Sequence, residues 1–374
     1  MQYVFVDDSP LQYDGYTNLR RAIGGAEKAV GGLASALAER GHEVKVINRT
    51  TYAHMADGAY YTPFGDSWAP KAADVIIAMR KPSLLGHLRQ AKHRLLWVTG
   101  APEYLTAEVN TPLWESFNPG LIFLSDLQHS AYKGKLPRMV MNPGVRAPYW
   151  EPPLVHESDP HEEALNPELY AARMAVAAAM PQGPPGPYAI VTSHPLHGLS
   201  WLLDLWTTRI HTAMPTARLS IFSASLSKAQ RGEGIADDLA PVFAQVQAAA
   251  SANVAIADPI SDDGMAAVFR TARVHLYPGH AQDYVCWTLG ESQAAGLPAV
   301  ARALGGTVER IANGQTGYVV PDADAFANVA LQILGDDGVY TSLNEEACRP
   351  TRRRTWTMAA DELDSFVASL KPSA

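Results

Sequence analysis

Three segments hold the residues whose types and spacing could do chemistry. Gly24-Gly25-Ala26-Glu27 opens a helical pattern. Glycines there let the backbone approach a ligand, and a helix N-terminus offers free N–H groups to an anion. On these residues alone, the run also reads as a tight turn with Glu27 in a first helical turn. The second segment runs from Asp283 to Glu291, seven residues between the acids, and continues Ser292-Gln293-Ala294-Ala295-Gly296-Leu297-Pro298. Two carboxylates around a strand-to-helix turn could grip sugar hydroxyls while N–H groups between them meet a phosphate. The plainer reading makes Asp283 a helix cap and Glu291 a solvated partner of the helix dipole. The third segment, Gly305-Gly306-Thr307-Val308-Glu309, follows a strand and offers another bare stretch of backbone. The Asn313-Gly314 and Thr316-Gly317 steps after it read as turns.

The elements that must position these segments alternate short apolar strands with helical patterns. That alternation predicts parallel sheets covered by helices. In the first half, strands are expected at 3–6, 44–47, 74–79, 95–98 and 121–124. A helix is expected at 27–40, with Gly41 just past its end. In the second half, strands are expected at 188–192, 218–222, 253–257, 274–277, 299–302 and 318–320. Helices are expected at 199–211, 263–272, 289–295 and 324–334. Nine prolines fall between Arg146 and Pro187, which marks an interdomain connection. One helix is expected inside it, capped by Asn166, begun by Pro167 and running to Met180, with Gln182–Pro187 stopping it. The domains are therefore expected at 1–150 and 188–354, with 151–187 between them. Ligands of such sheets bind at the carboxyl ends of strands, so a site between two domains is the expectation.

Composition narrows the class. The chain has 374 residues, 47% hydrophobic and 18% charged, enough for two packed domains. A net charge of −8 argues against a general binder of polyanions, and residues 188–348 hold 16 acidic against 8 basic side chains. Cys286 and Cys348 cannot make a disulfide framework or a four-ligand zinc site, and no His/Cys pair has metal-ligand spacing. The start, Met1 to Asp8, turns acidic at once and reads as a buried strand, not a signal peptide. No apolar run nears the roughly 20 residues of a membrane span. A reduced, cytoplasmic protein is the expectation. Trp201, Trp206 and Trp287 read as core. Asp258, Asp262 and Asp263 read as turn or cap residues. The arginines at 349 and 352–354 read as a solvated face, with an anionic acceptor or a peripheral membrane contact as the alternative.

Taken together and in this order, the segments resemble glycosyltransferase family 4, retaining enzymes with the two-domain GT-B fold. Gly24-Gly25-Ala26-Glu27 followed by Arg40-Gly41-His42-Glu43-Val44 resembles the family's N-terminal motif. Asp283-x7-Glu291 resembles its E-x7-E motif, and Ala303-Leu304-Gly305-Gly306 through Gly317-Tyr318-Val319-Val320-Pro321 the segment that follows. Asn142-Pro143-Gly144-Val145, Gly198-Leu199 with Leu202-Leu203, and Trp356 extend the likeness over most of the chain outside 146–187. The resemblance implies an α/β fold of GT-B architecture. Two Rossmann-like domains would face a central cleft, and a C-terminal helix, about 355–374, would pack back on the first.

The resemblance also implies roles. A nucleoside-diphosphate sugar would bind the second domain, with Glu291 on the ribose hydroxyls and Asp283 on hydroxyls of the transferred sugar. Backbone near Tyr284, Val285 and Cys286 would flank sugar and diphosphate, with His194 and the Gly305-Gly306 pair in the same donor set. The Gly24-Gly25 loop would close over the phosphates. A hydroxyl acceptor (a glycan, a lipid-linked sugar or a small molecule) would lie on the first domain, near Thr99 and Arg80. Transfer would need no cofactor and no metal. A modified base in DNA stays open as an acceptor, though charge disfavours it. Three departures stand out. His197 takes the place of a Lys or Arg that would neutralise the diphosphate, which makes the step pH-sensitive if His197 acts there. Asp283 replaces the first Glu, and Thr99 stands near where a His is usual. The alternatives are an epimerase or phosphorylase on the same fold, and a partner subunit that binds sugar nucleotides but has lost efficient chemistry.

Overall fold

The computed structural model describes residues 1–67, 69–151 and 183–372. The helix expected at 166–180 lies outside the described residues. The chain forms two units, Met1–Arg146 with Arg354–Ala374, and Ala147–Arg353.

The first unit is an eight-stranded sheet of order β3-β4-β2-β1-β5-β6-β7-β8. Its strands are β1 (Gln2–Val6), β2 (Glu43–Asn48), β3 (His54–Ala56), β4 (Ala59–Pro63), β5 (Ala72–Met79), β6 (Gln90–Trp97), β7 (Gly120–Phe123) and β8 (Arg138–Val140). All neighbours are parallel except β3 and β4. The continuous runs Tyr3–Val6 and Val75–Met79 are wholly buried, as strands covered on both faces require. Helix α1 (Gly25–Glu39) ends in a Schellman motif. Gly41 takes φ +82°, His42 N–H donates to Leu37 C=O, and Gly41 N–H donates to Ala38 C=O.

The C-terminal helix, Trp356–Ser369, packs on α1, as the resemblance implies. The reason is local. A Cβ at Gly32 would meet Trp356 Nε1 at 2.4 Å, so only glycine admits the indole. Asp364 then accepts from Tyr3 Oη (2.6 Å) and Arg40 Nε (2.9 Å), and its Oδ2 lies 3.0 Å from His42 Nε2.

The second unit is a six-stranded, fully parallel sheet of order β11-β10-β9-β12-β13-β14. Its strands are β9 (Tyr188–Val191), β10 (Arg218–Phe222), β11 (Val254–Ala257), β12 (Val274–Tyr277), β13 (Ala299–Arg302) and β14 (Gly317–Val320). The short helix α2 (Ala147–Trp150) belongs to this unit, followed by α3 (Leu199–Leu205), α4 (Asp262–Thr271), α5 (Trp287–Ala294) and α6 (Ala323–Gly335). The helix expected at 199–211 changes character midway. Residues Trp206–Ile210 form a wider turn, where the Thr207 and Thr208 hydroxyls bond to the carbonyls of Leu203 and Asp204 and loosen the ladder. Trp206 fills the core, its Nε1 donating to Ala252 C=O at 2.8 Å. Trp201 and Trp287 are only partly buried. Among the described residues no helix is long and apolar enough to cross a membrane.

Candidate functional site

In each unit the predicted site residues gather at the carboxyl ends of the parallel strands, where βα loops turn and side chains of neighbouring strands converge. In the first unit Asp7 follows β1, Arg80 follows β5 and Thr99 follows β6. Arg80 N–H donates to Trp97 C=O at 3.0 Å, which brings the β5 and β6 ends together. The Arg80 guanidinium meets Glu27 Oε1 at 2.7 Å and Asp7 Oδ2 at 3.2 Å. Burial opposes the Arg80 charge, but the two carboxylates more than offset it and raise its pKa. Burial also raises Asp7, against the pull of Arg80 and a 2.7 Å hydrogen bond from Tyr13. Arg80 is therefore tied to the glycine loop through Glu27. A Cβ on Gly24 would meet Glu27 Oε2 at 2.3 Å, so Gly24 is bare because the acid curls back over the helix start. No side chain caps α1 among the described residues. Thr99 stands half-buried beside Gly100, whose carbonyl accepts from Gln128 Nε2 at 2.8 Å.

In the second unit the loop after β12 carries Asp283, held on two sides. Tyr277 Oη donates to its Oδ2, and Cys286 N–H donates to Oδ1 at 3.0 Å. Tyr277 is buried, and burial keeps its hydroxyl protonated well above the usual range. Burial likewise pushes the Cys286 thiol up. Cys286 takes φ +49°, a left-handed conformation rare for a residue with a side chain, at the N-cap of α5. Arg310 Nε donates to Val285 C=O at 2.9 Å and braces the same turn.

The Gly305-Gly306 pair serves this loop from behind. A Cβ at Gly305 would lie 2.3 Å from Asp283 C=O and one at Gly306 would lie 2.4 Å from Tyr284 C=O. Gly306 N–H donates to Asp283 C=O at 2.8 Å. The glycines are thus explained by contact between two loops of the chain itself, and the Gly306 amide is already engaged.

After β9, Gly198 caps α3 with φ +90°. His197 stacks on His280, ring centroids 4.4 Å apart and nearly parallel, and its centroid lies 5.3 Å from that of the exposed His194. Burial lowers the His197 pKa, and the Asp283 charge acts the other way. Arg302, at the end of β13, reaches the same turn. Its Nη2 would lie 2.8 Å from a Cβ on Gly198, its Nε donates to Pro278 C=O at 2.5 Å, and its guanidinium stacks over Trp201 at 4.2 Å. A lone cation closing the otherwise apolar strand Ala299–Arg302 was the available signal for it.

Glu291 is half-buried on α5, in hydrogen-bond contact with the buried Tyr149 hydroxyl, which donates to Asp262 Oδ1 at 2.8 Å. Asp262, read as a turn or cap residue, does more than end a loop. It sits in the first turn of α4 but is wholly buried beneath Tyr149, because that phenol needs a buried acceptor. Three arginines of the cluster pair with acids, each within its own unit. Arg349 and Arg352 meet Glu346 at 2.7 and 2.6 Å, and Arg354 meets Glu362. Among the described residues no three His, Cys, Asp or Glu side chains are grouped to hold a metal ion.

Residues 189–336 match the family described as Glycosyl transferases group 1. A D-inositol 3-phosphate glycosyltransferase of Corynebacterium efficiens is 29% identical over 111 residues, 29% of this chain and 26% of that protein. The match thus spans about a quarter of the length of the curated relative. Among solved structures, a sucrose-phosphate synthase from Thermosynechococcus elongatus superposes with a TM-score of 0.66 at 15% identity, over 98% of both chains. Anabaena Alr3699/HepE in complex with UDP-glucose superposes at 0.65 and 14% identity, over 99% of this chain and 100% of that one. The second unit, with its acids at the β12–α5 turn, thus carries a segment similar to the group 1 glycosyltransferases, and the chain has the GT-B fold.

Proposed function

We propose that the protein transfers a sugar, with retained anomeric configuration, from a nucleoside-diphosphate sugar to a hydroxyl acceptor. The second unit holds the donor. The observation that carries this reading is the Asp283 loop, built into the segment similar to this family. Its carboxylate is fixed by a hydroxyl and an amide, both neutral donors, so it keeps its charge and further lone pairs for the hydroxyls of a sugar. Glu291 takes the ribose. Backbone at 284–286 lies along the sugar and diphosphate. Arg302 answers the diphosphate charge, which one Lys or Arg would otherwise carry, and His197 adds a hydrogen bond. The Ser193 hydroxyl in that loop is buried with no hydrogen-bond partner among the described residues, as a group awaiting a ligand would be. The leaving phosphate assists deprotonation of the acceptor, and no covalent sugar–enzyme bond is needed.

The acceptor belongs to the first unit, near Thr99. The named relatives act on D-inositol 3-phosphate, so a phosphorylated polyol is the first acceptor to try. The test is a panel of nucleotide sugars with purified protein, product anomer read by NMR, with and without EDTA. Transfer that survives EDTA and retains configuration supports the proposal. Interconversion of free sugar nucleotides would make the protein an epimerase. Binding without turnover would make it a sugar-nucleotide-binding subunit.

A further inference from the structure

We infer that Tyr149 is a positioning residue for Glu291, its hydroxyl anchored on Asp262 and setting the carboxylate that meets the ribose. The inference rests on the donor-site reading above and deepens it. Helix α2 is only four residues long, yet it packs on both α4 and α5. Tyr149 is 1% exposed, and its ring stacks on Phe269 of α4 at 5.8 Å. Arg270, also on α4, ties the backbone of this segment, its Nη2 donating to Pro148 C=O at 2.7 Å and Glu151 C=O at 2.9 Å. The ring therefore cannot turn away, and its hydroxyl is delivered to one place. There it donates to Asp262 Oδ1 at 2.8 Å and also contacts the Glu291 carboxylate. Burial and the two acids keep the phenol protonated far above its usual range. One hydroxyl set between carboxylates on two helices restrains both, since its single proton bonds Asp262 and lies within reach of Glu291. A phenylalanine in this pocket would fill the same volume and stack equally well. The hydroxyl adds orientation, not packing.

Ribose discrimination is the readout, since a general loss of packing would not move it. Calorimetry would compare UDP, GDP and ADP, each beside its 2′-deoxy counterpart, on the full chain, on Tyr149→Phe, on Glu291→Gln and on the double variant. The expected result is a preference for the ribonucleotide that shrinks about fivefold to tenfold in Tyr149→Phe. In the double variant the ratio is no lower than in Glu291→Gln alone, because the two act through one contact. Asp262→Asn, which leaves the aromatic ring untouched, moves the ratio the same way. A Tyr149→Phe protein that keeps the full ribose preference, or that weakens both nucleotides equally, overturns the assignment. So do penalties that add in the double variant. A wild-type chain that binds none of the diphosphates overturns the donor-site reading itself, and this inference with it.

Discussion

Glu27 in the first unit and Asp283 in the second are acids of similar setting. Each stands by a glycine-rich turn at the carboxyl end of a parallel sheet, close to the start of a helix. Their partners differ. Glu27 is 5% exposed and meets the Arg80 guanidinium, which Asp7 shares. Asp283 is held by a tyrosine hydroxyl and a backbone amide. A carboxylate answered by a cation is committed to the fold, since removing either partner strands a buried charge. One answered by neutral donors is oriented without being neutralised, and stays able to accept from a hydroxyl-bearing ligand. Two motifs of like appearance thus divide into an acid clamped by a cation and an acid oriented as the proposed donor site requires.

Replacing Asp283 with Ala is the largest expected effect. Sugar transfer should fall about 10²- to 10³-fold, while the lost acceptor of the buried Tyr277 hydroxyl costs about 2 kcal/mol of stability, read by steady-state kinetics beside calorimetry. Activity that survives in full would erase the contrast. For Arg80→Met the expectation is reversed. It strands Asp7 and Glu27 and should cost the first unit about 3 kcal/mol in chemical denaturation. A stable Arg80→Met protein with lost transfer would move Arg80 into the site. Gly306→Ala would force its Cβ onto the Tyr284 carbonyl and displace the Asp283 loop, for about 2 kcal/mol of stability and a loss of transfer.

His275 offers a pH test of the second unit alone. It is wholly buried between Ser292 Oγ (2.7 Å) and Thr192 Oγ1 (3.0 Å), and burial pushes its pKa down from 6.5 to about 3. Above pH 6.5 neither folded nor unfolded chain protonates it. Below that, the unfolded chain takes up a proton that the folded one refuses. Stability should therefore fall by up to about 1.4 kcal/mol per pH unit as pH drops from 6 toward 4. His275→Gln should flatten that slope in pH-dependent melts. The smallest effect belongs to His197→Lys, which should tighten diphosphate binding about threefold at pH 8 and remove its pH dependence. An unchanged pH profile would take His197 out of the donor site.

Much of the fold was legible, because buried parallel strands are written as short, largely apolar runs. Tyr3–Val6, Arg218–Phe222, Val274–Tyr277 and Ala299–Arg302 needed no tertiary information. The β3–β4 hairpin was not legible. His54-Met55-Ala56 and Ala59-Tyr60-Tyr61-Thr62-Pro63 lie at a sheet edge, carry no long apolar run and end in a proline. The helices Ala224–Gln230 and Ala240–Ala248 hid behind alanine and serine, which do not mark a buried face. Within the site, Asp283 and Glu291 stood out by spacing. Tyr149, Asp262 and Arg302 did not, since each meets its partner across a sheet or between helices, and Tyr277 did not, since it is written as one more buried residue of its strand.

The sequence by itself determined the two βα halves, the glycine turns, the acids and their order. Those are local matters of period, backbone freedom and residue type. Only the tertiary structure decided what each acid meets. Whether Glu27 faces a guanidinium or Asp283 a phenol depends on Arg80 arriving from 53 residues away and Tyr277 from six, and Tyr149 reaches Asp262 across 113. A carboxylate's role is set by the charge and hydrogen-bonding of what lies within a few ångströms of it, and chain folding, not sequence neighbourhood, selects those neighbours.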